Sequence, residues 1–180
     1  TIYDSSRGIS KEIYPNDTSA EASAVADGLK KFLKGGFATE DAVNLNEAGE
    51  SFVGWSWVAN GGTTAANTDG SGASIASTTQ ANQTAGFSVV KYTGTASAGT
   101  VAHGLGAAPE WMLFKNLEDG STSWCVYHSA IGTTGTGRLN ANNAFGDTSF
   151  ITTAPSSSVF TLTNATIVDG SSNDMIAYCF

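Results

Sequence analysis

If this chain performs acid–base or metal chemistry, its two histidines are the residues to weigh first. His103 and His128 stand 25 positions apart with no HxxxH or CxxC spacing near them, so they form no zinc pattern. His103 lies in "VAHGLGAAPEW", where Gly104, Gly106 and Pro109 mark turns. A ring in such a loop is expected to hydrogen-bond a backbone carbonyl and fix the turn. The acidic stretches "LEDG" (117–120) and "DGSSND" (169–174) carry oxygen ligands that would suit calcium. Both read instead as hairpin turns with Asp-Gly at the corner, and neither has EF-hand spacing. "GTTGTG" (132–137) lacks the GK[ST] of a phosphate cradle, and no GxSxG nucleophile setting occurs among the serines. No catalytic, cofactor-binding or metal-ligating residue is nominated, and no cofactor is expected.

Aromatic stacking is the remaining chemistry. Four tryptophans, Trp55, Trp57, Trp111 and Trp124, could present flat faces to pyranose rings. Trp55 and Trp57 share one face of a strand and are expected to pack inside. Trp111 and Trp124 are the candidate glycan-stacking residues. Cys125 and Cys179 each sit in an apolar, strand-like run, and buried free thiols are favoured over a bridge.

Composition narrows the partners. With 8 Lys+Arg against 16 Asp+Glu and a net charge of -8, the chain has no basic stripe to neutralise phosphates. Nucleic acid and anionic membranes are therefore not expected partners. The apolar runs are a handful of residues long, far short of a bilayer span, and no targeting signal is visible at the N-terminus. Only 13% of residues are charged, a composition that suits an extracellular or particle-surface location.

What must position these residues is β-structure. "SFVGWSWV" (51–58), "GFSVVKYTG" (86–94), "EWMLFKN" (110–116), "SWCVYHS" (123–129), "SVFTLT" (158–163) and "DMIAYCF" (174–180) are of strand length, rich in Val, Phe, Tyr, Trp and Thr, and bounded by turn residues. The rival is "SAEASAVADGLKKFLKGG" (19–36), where Ala22, Val25, Ala26, Leu29, Phe32 and Leu33 fall at helical spacing before Gly35-Gly36. An internal repeat bears on that choice. Tyr3, Ser5, Gly8, Asn16 and Ala20 match Tyr127, Ser129, Gly132, Asn140 and Ala144 at an offset of 124. One deleted residue later, Phe37 matches Phe160, Ala42 matches Ala165, and "FVGWSW" (52–57) lies on "MIAYCF" (175–180). The repeat places the lysine-rich helix candidate over a stretch containing Pro155 and three consecutive serines, which no continuous helix accommodates. The expected fold is all-β, a jelly-roll-like sandwich built from a repeated unit, with at most one short helix near residues 20–33.

Residues 1–59 then read as the back half of a unit, 60–85 as a Gly/Ser/Thr/Asn-rich linker or long loop with one edge strand around "ASIAST", and 86–180 as a complete sandwich unit. A lone half-unit leaves strand edges and an apolar face uncovered, so residues 2–58 are expected to pack on the 86–180 unit or on a neighbouring subunit. "GFSVVKYTGTASAGTVAHGLGAAPEWMLFKN", the "RLNANNAF" and "APSSSVFTL" stretches and the terminal "AYCF" resemble a domain common in virion and tail-fibre proteins of tailed bacteriophages, especially marine ones. "HGLGAAP" and "YCF" are its most specific parts, and the resemblance covers residues 2–180. Cys125 and "GLKKFLKGG" depart from the pattern. The resemblance implies a mostly β virion component, often carried in longer multi-domain chains, with no catalytic residues to carry over. The expectation is a non-enzymatic structural module of a tail fibre or surface appendage, in the virion or outside the cell. Its partners would be further copies of itself, a trimer favoured, or other virion proteins, and through them a host-surface glycan. A carbohydrate-binding module and a capsid decoration protein are the alternatives. An enzyme such as a glycan depolymerase would need paired carboxylates that no stretch singles out.

Overall fold

The computed structural model describes residues 1–23, 27–59, 65–67, 72–146 and 150–180, with residues 65–67 described for their backbone alone. Its strands, in chain order, are β1 (Ile2–Asp4), β2 (Gly8–Ile13), β3 (Ala22–Ser23), β4 (Leu29–Leu33), β5 (Gly36–Thr39), β6 (Ala65–Asn67), β7 (Ser77–Asn82), β8 (Phe87–Thr93), β9 (Gly99–Ala102), β10 (Trp111–Asn116), β11 (Cys125–His128), β12 (Gly137–Arg138), β13 (Val159–Leu162) and β14 (Asp174–Cys179). One helical turn, α1 (Thr166–Asp169), interrupts them. The fold is all-β and sandwich-like, as the strand-length apolar runs imply.

A seven-stranded sheet in the order β12-β11-β10-β14-β8-β7-β6 forms the centre. β14 lies between β10 and β8, antiparallel to both, with Ala177 opposite Phe114 on one side and Val90 on the other. These three strands are buried at most positions, on both sides of the pleat, because both faces of the sheet are covered. On one face Val90, Tyr92, Met112, Phe114, Met175 and Ala177 pack against the β9–β13 pair, α1 and Ile151. On the other, Val89, Leu113, Trp124, Ile176 and Tyr178 pack against Ile13 and Ile2 of the N-terminal segment. That segment carries its own three-stranded sheet, β1-β2-β3. The expected packing of the first residues on the 86–180 unit is thus met within one chain for residues 1–21.

The segment 60–85 contributes more than a connection: β7 pairs along its whole length with β8, with β6 outside it, and Ile75 is buried. The expected edge strand falls a few residues later, one place in from the edge. Residues 60–64 and 68–71 of that stretch lie outside the described residues.

The helix allowed near 20–33 does not form in the described part of that stretch, and residues 24–26 lie outside it. Leu29–Leu33 instead pairs with Gly36–Thr39 across a two-residue loop, where Gly35 takes a φ of +83° that other residues resist. Of the Gly-Gly that reads as a helix stop, Gly35 sits in the hairpin loop and Gly36 opens β5. Among the described residues the one helical turn is at 166–169.

The repeat is also present in three dimensions. β5 (36–39) corresponds residue for residue to β13 (159–162). The bonds Leu45 N–H to Ala42 O and Asn46 N–H to Ala42 O match Val168 N–H and Asp169 N–H to Ala165 O. Glu50 N–H to Glu47 O matches Asn173 N–H to Gly170 O, and Gly49 (φ +88°) matches Ser172 (φ +59°).

Candidate functional site

Each residue whose type suggested chemistry holds backbone in place. His103 is fully buried, and its Nδ1 accepts from the Leu105 N–H at 3.3 Å, so Nε2 carries the proton and donates to the Ser156 carbonyl at 3.1 Å. The ring therefore ties its own loop to the loop before β13. Burial holds its pKa below the ordinary histidine value, against the opposite pull of the Ser156 hydrogen bond. His128 is exposed, and its Nδ1 accepts from the Ala130 N–H at 3.1 Å. At the matching position of the first copy, Asp4 Oδ1 accepts from the Ser6 N–H at 3.0 Å. Aspartate and histidine do the same work there, closing the turn before Gly8 or Gly132, both at positive φ.

The acidic turns behave alike. Asp119 Oδ1 accepts from the Ser121 N–H and hydroxyl. Asp169, fully buried, accepts from the Thr95 N–H at 2.6 Å and the Ser97 N–H at 2.9 Å, fixing the loop after β8. Among the described residues no three His, Cys, Asp or Glu side chains gather as a metal site. In "GTTGTG" a Cβ on Gly135 would overlap the Gly146 carbonyl, so the glycine serves a close approach of two chain segments. Cys125 and Cys179 are buried free thiols, each pushed up to about 12 by burial.

Two buried polar groups escape a motif-based reading. Lys115 is fully buried on β10, where its ammonium donates to the carbonyls of Thr18 (3.0 Å), Thr122 (3.1 Å) and Asp119 (3.5 Å). Burial pulls its pKa below the ordinary lysine value, opposed by Asp119 and Asp17. Arg7 is equally buried, donating to Asp4 Oδ2 at 2.5 Å and to the Ile2 carbonyl, while Tyr178 OH donates to Asp4 Oδ2 at 2.7 Å. Both groups latch residues 1–21 onto the central sheet. The available signal was a single lysine inside an otherwise apolar run, "WMLFK", and an arginine three residues after an aspartate.

The tryptophans divide against expectation. Trp124 is 0% exposed, its indole N–H donating to the Tyr14 carbonyl at 2.8 Å and its ring lying over Tyr178. With the N-terminal segment over it, it has no free face to stack on a sugar, which corrects its candidacy. Trp111 is half-buried and stacked on Phe180 at 4.8 Å. Trp55 and Trp57, expected inside, are exposed, Trp55 at 78%. Trp57 meets Phe180 edge-on at 5.7 Å, and Phe180 also touches Phe87. An aromatic cluster, Trp57, Phe87, Phe180 and Trp111, thus runs along one margin of the sheet, with Trp55 beyond it.

All 180 residues match one family model, described as a domain of unknown function, DUF7483. The chain belongs to this family. No curated protein and no solved structure matches it. For this DUF7483 chain the functional surface has to be sought from its own geometry, and the aromatic margin with residues 51–58 is the candidate that geometry offers.

Proposed function

We propose that this chain is a non-enzymatic structural module of a bacteriophage virion, part of a tail fibre or surface appendage, that assembles with copies of itself and contacts the host surface. One observation carries the structural part of this reading: the buried groups capable of chemistry, His103, Lys115 and Asp169, are each spent on main-chain contacts that join segments distant in sequence, and Arg7 is spent on a local ion pair with Asp4, which the Tyr178 hydroxyl also bonds. Such a molecule is a scaffold with its ionisable groups committed to cohesion. The placement on a phage particle rests on the resemblance of "HGLGAAP" and the "YCF" end. Immunogold electron microscopy with an antibody to this chain, on particles of a tailed phage encoding it, tests the placement. Label on an appendage is the expected result. Purified particles that carry no label overturn it, and so does release of reducing ends when the chain is incubated with host surface polysaccharide.

A carbohydrate-binding module is the second reading. The exposed Trp57 and the half-buried Trp111, both packed against Phe180, favour it, since the cluster offers aromatic surface to a ligand. Glycan-array binding lost in Trp111→Ala would turn the assignment to this reading.

A further inference from the structure

The most unusual feature of the molecule is an apolar run without a partner. Residues 51–58, "SFVGWSWV", form neither helix nor strand, and among the described residues their main chain makes no backbone–backbone hydrogen bond. The Asn82 amide, donating to the Val58 carbonyl, is the side-chain contact at one end. Along this run Val53 is 80% and Trp55 78% exposed, and Phe52, Trp57 and Val58 are exposed as well. Of the thirteen large exposed hydrophobic residues among those described, ten lie between residues 9 and 58. Contiguous apolar surface beside an unpaired strand marks an interaction site.

The repeat states what this run is. The turn at 47–50 has the hydrogen bond and left-handed residue of the turn at 170–173, and each leads into its copy of the matching run, 52–57 or 175–180. The second of these is β14, flanked on both sides and buried. The first has the same pattern of residues and, among the described residues, no strand paired with it.

We infer that residues 51–58 are an assembly strand that pairs antiparallel with the same residues of a second copy of this chain, Val53 of each copy facing Trp55 of the other. Three observations select this occupant. The edge strands of the central sheet, β12 and β6, are two and three residues long, too short to pair with an eight-residue run. Outside residues 9–58 the large exposed hydrophobics among the described residues are Ile131, Leu139 and Phe145, a much smaller surface. The matching surface on a second copy therefore lies within residues 9–58, and a two-fold interface brings the same run of each copy together. The side chains of Phe37, Phe52, Val53, Trp55, Trp57 and Val58 together expose roughly 700 Å² at these fractions, near the ~800 Å² each partner gives a standard interface. A dyad at Gly54 lets the backbones approach and sets the two most exposed residues into aromatic–β-branched cross-strand pairs, with no charge in the run to repel its copy.

The inference rests on the structural-module reading and specifies its self-assembly. Sedimentation velocity of the full chain at high micromolar concentration is the test, with V53S/W55S removing the apolar pairs and S56P removing one strand donor while leaving the apolar surface. A two-fold oligomer that both variants weaken by about tenfold or more, with unchanged far-ultraviolet circular dichroism, is expected. Mixing V53C with W55C should give a cross-linked heterodimer in excess of either homodimer, the native cysteines being buried. A wild-type chain that stays monomeric overturns the inference and assigns the strand to a different partner, leaving the structural-module reading standing. An oligomer indifferent to both variants, or one that cross-links as homodimers, overturns it as well. Unlabelled phage particles defeat the broader reading without touching this one.

Discussion

Phe37 and Phe160 occupy one position in the two copies of the repeat, each on a short strand two residues before its end and five before the alanine that starts the next turn. Phe160 is fully buried, with Phe114 edge-on at 5.3 Å and Tyr92 at 6.3 Å. Phe37 is 47% exposed. The difference lies in the neighbours. β13 pairs with β9 of the preceding residues and faces the central sheet, whereas β5 pairs with β4 and faces solvent. The same local sequence makes the same turns in both places, and whether it becomes core depends on which strands are brought beside it.

The largest expected effect breaks this pair directly. Phe160→Ala should cost about 3–5 kcal/mol of unfolding free energy, because a fully enclosed ring leaves a cavity. Phe37→Ala should cost under about 1 kcal/mol in the monomer, since water already reaches the ring. Urea unfolding of the two variants at a concentration where the chain is dissociated measures both. Equal costs would show that β5 is as enclosed as β13.

The exchange of Asp4 and His128 is the next test. Each accepts a hydrogen bond from the N–H two residues on, but Asp4 also faces the buried guanidinium of Arg7 and the Tyr178 hydroxyl. Asp4→His should cost about 3 kcal/mol, the scale for stripping a partner from a buried charge, with Glu21 at 3.4 Å left as partial compensation. It should also raise hydrogen exchange across residues 1–21. His128→Asp keeps the turn bond at an exposed site, so its unfolding midpoint should stay within experimental error of the wild type.

How much of this could be read from the chain itself depends on whether the deciding contact is local. The runs "FSVVKYT", "WMLFKN" and "MIAYCF" announce strands because they are compact, of strand length and rich in aromatic and aliphatic residues, and the structure makes them the three central strands. His103 as a turn-fixing ring was legible from the glycines and proline around it. Of the hairpin at 29–39, strand from Phe37 onward was legible through its match with Phe160, but the first strand was not: Leu29, Phe32 and Leu33 are spaced for a helix, and the partner that decides otherwise is reached through Gly35. Trp55 and Trp124 read alike, as aromatic residues in apolar runs expected mostly to pack inside, because residue type alone says nothing about coverage. Trp124 is enclosed by a segment about a hundred residues earlier, bonded through the Tyr14 carbonyl, while Trp55 has no strand beside it.

His103 belongs to the part of the chain that has no counterpart in the first copy, and it makes that part sensitive to acid. Its folded pKa lies below that of the unfolded chain, so the folded state binds the proton less readily. Stability from this group is present above the unfolded histidine range and is lost as pH falls from there through the lowered folded value. Thermal melts between neutral and mildly acidic pH should therefore show a loss that His103→Gln reduces. Hydrogen exchange should locate that loss first in the loops around residues 103–106 and 156–159, not in residues 1–58. A pH slope unchanged by the substitution would exclude His103 as its source.

The smallest effect sits in the turn the two copies share most closely. Gly49 and Ser172 both lie in the left-handed region, at φ +88° and +59°, each two residues after the carbonyl that closes its turn. Glycine reaches that region without a Cβ clash, while serine meets roughly 1–2 kcal/mol of local strain, offset in part by its smaller entropy loss on folding. Ser172→Gly should therefore raise stability by about 0.5 kcal/mol, a melting shift of one to two degrees for a chain of this size. Gly49→Ser should lower stability by a similar amount. The two changes acting with opposite signs would show that the turn demands one backbone shape in both copies. A destabilising Ser172→Gly would mean instead that the second copy has adapted its turn to the serine, and that the likeness of the copies ends where β14 begins.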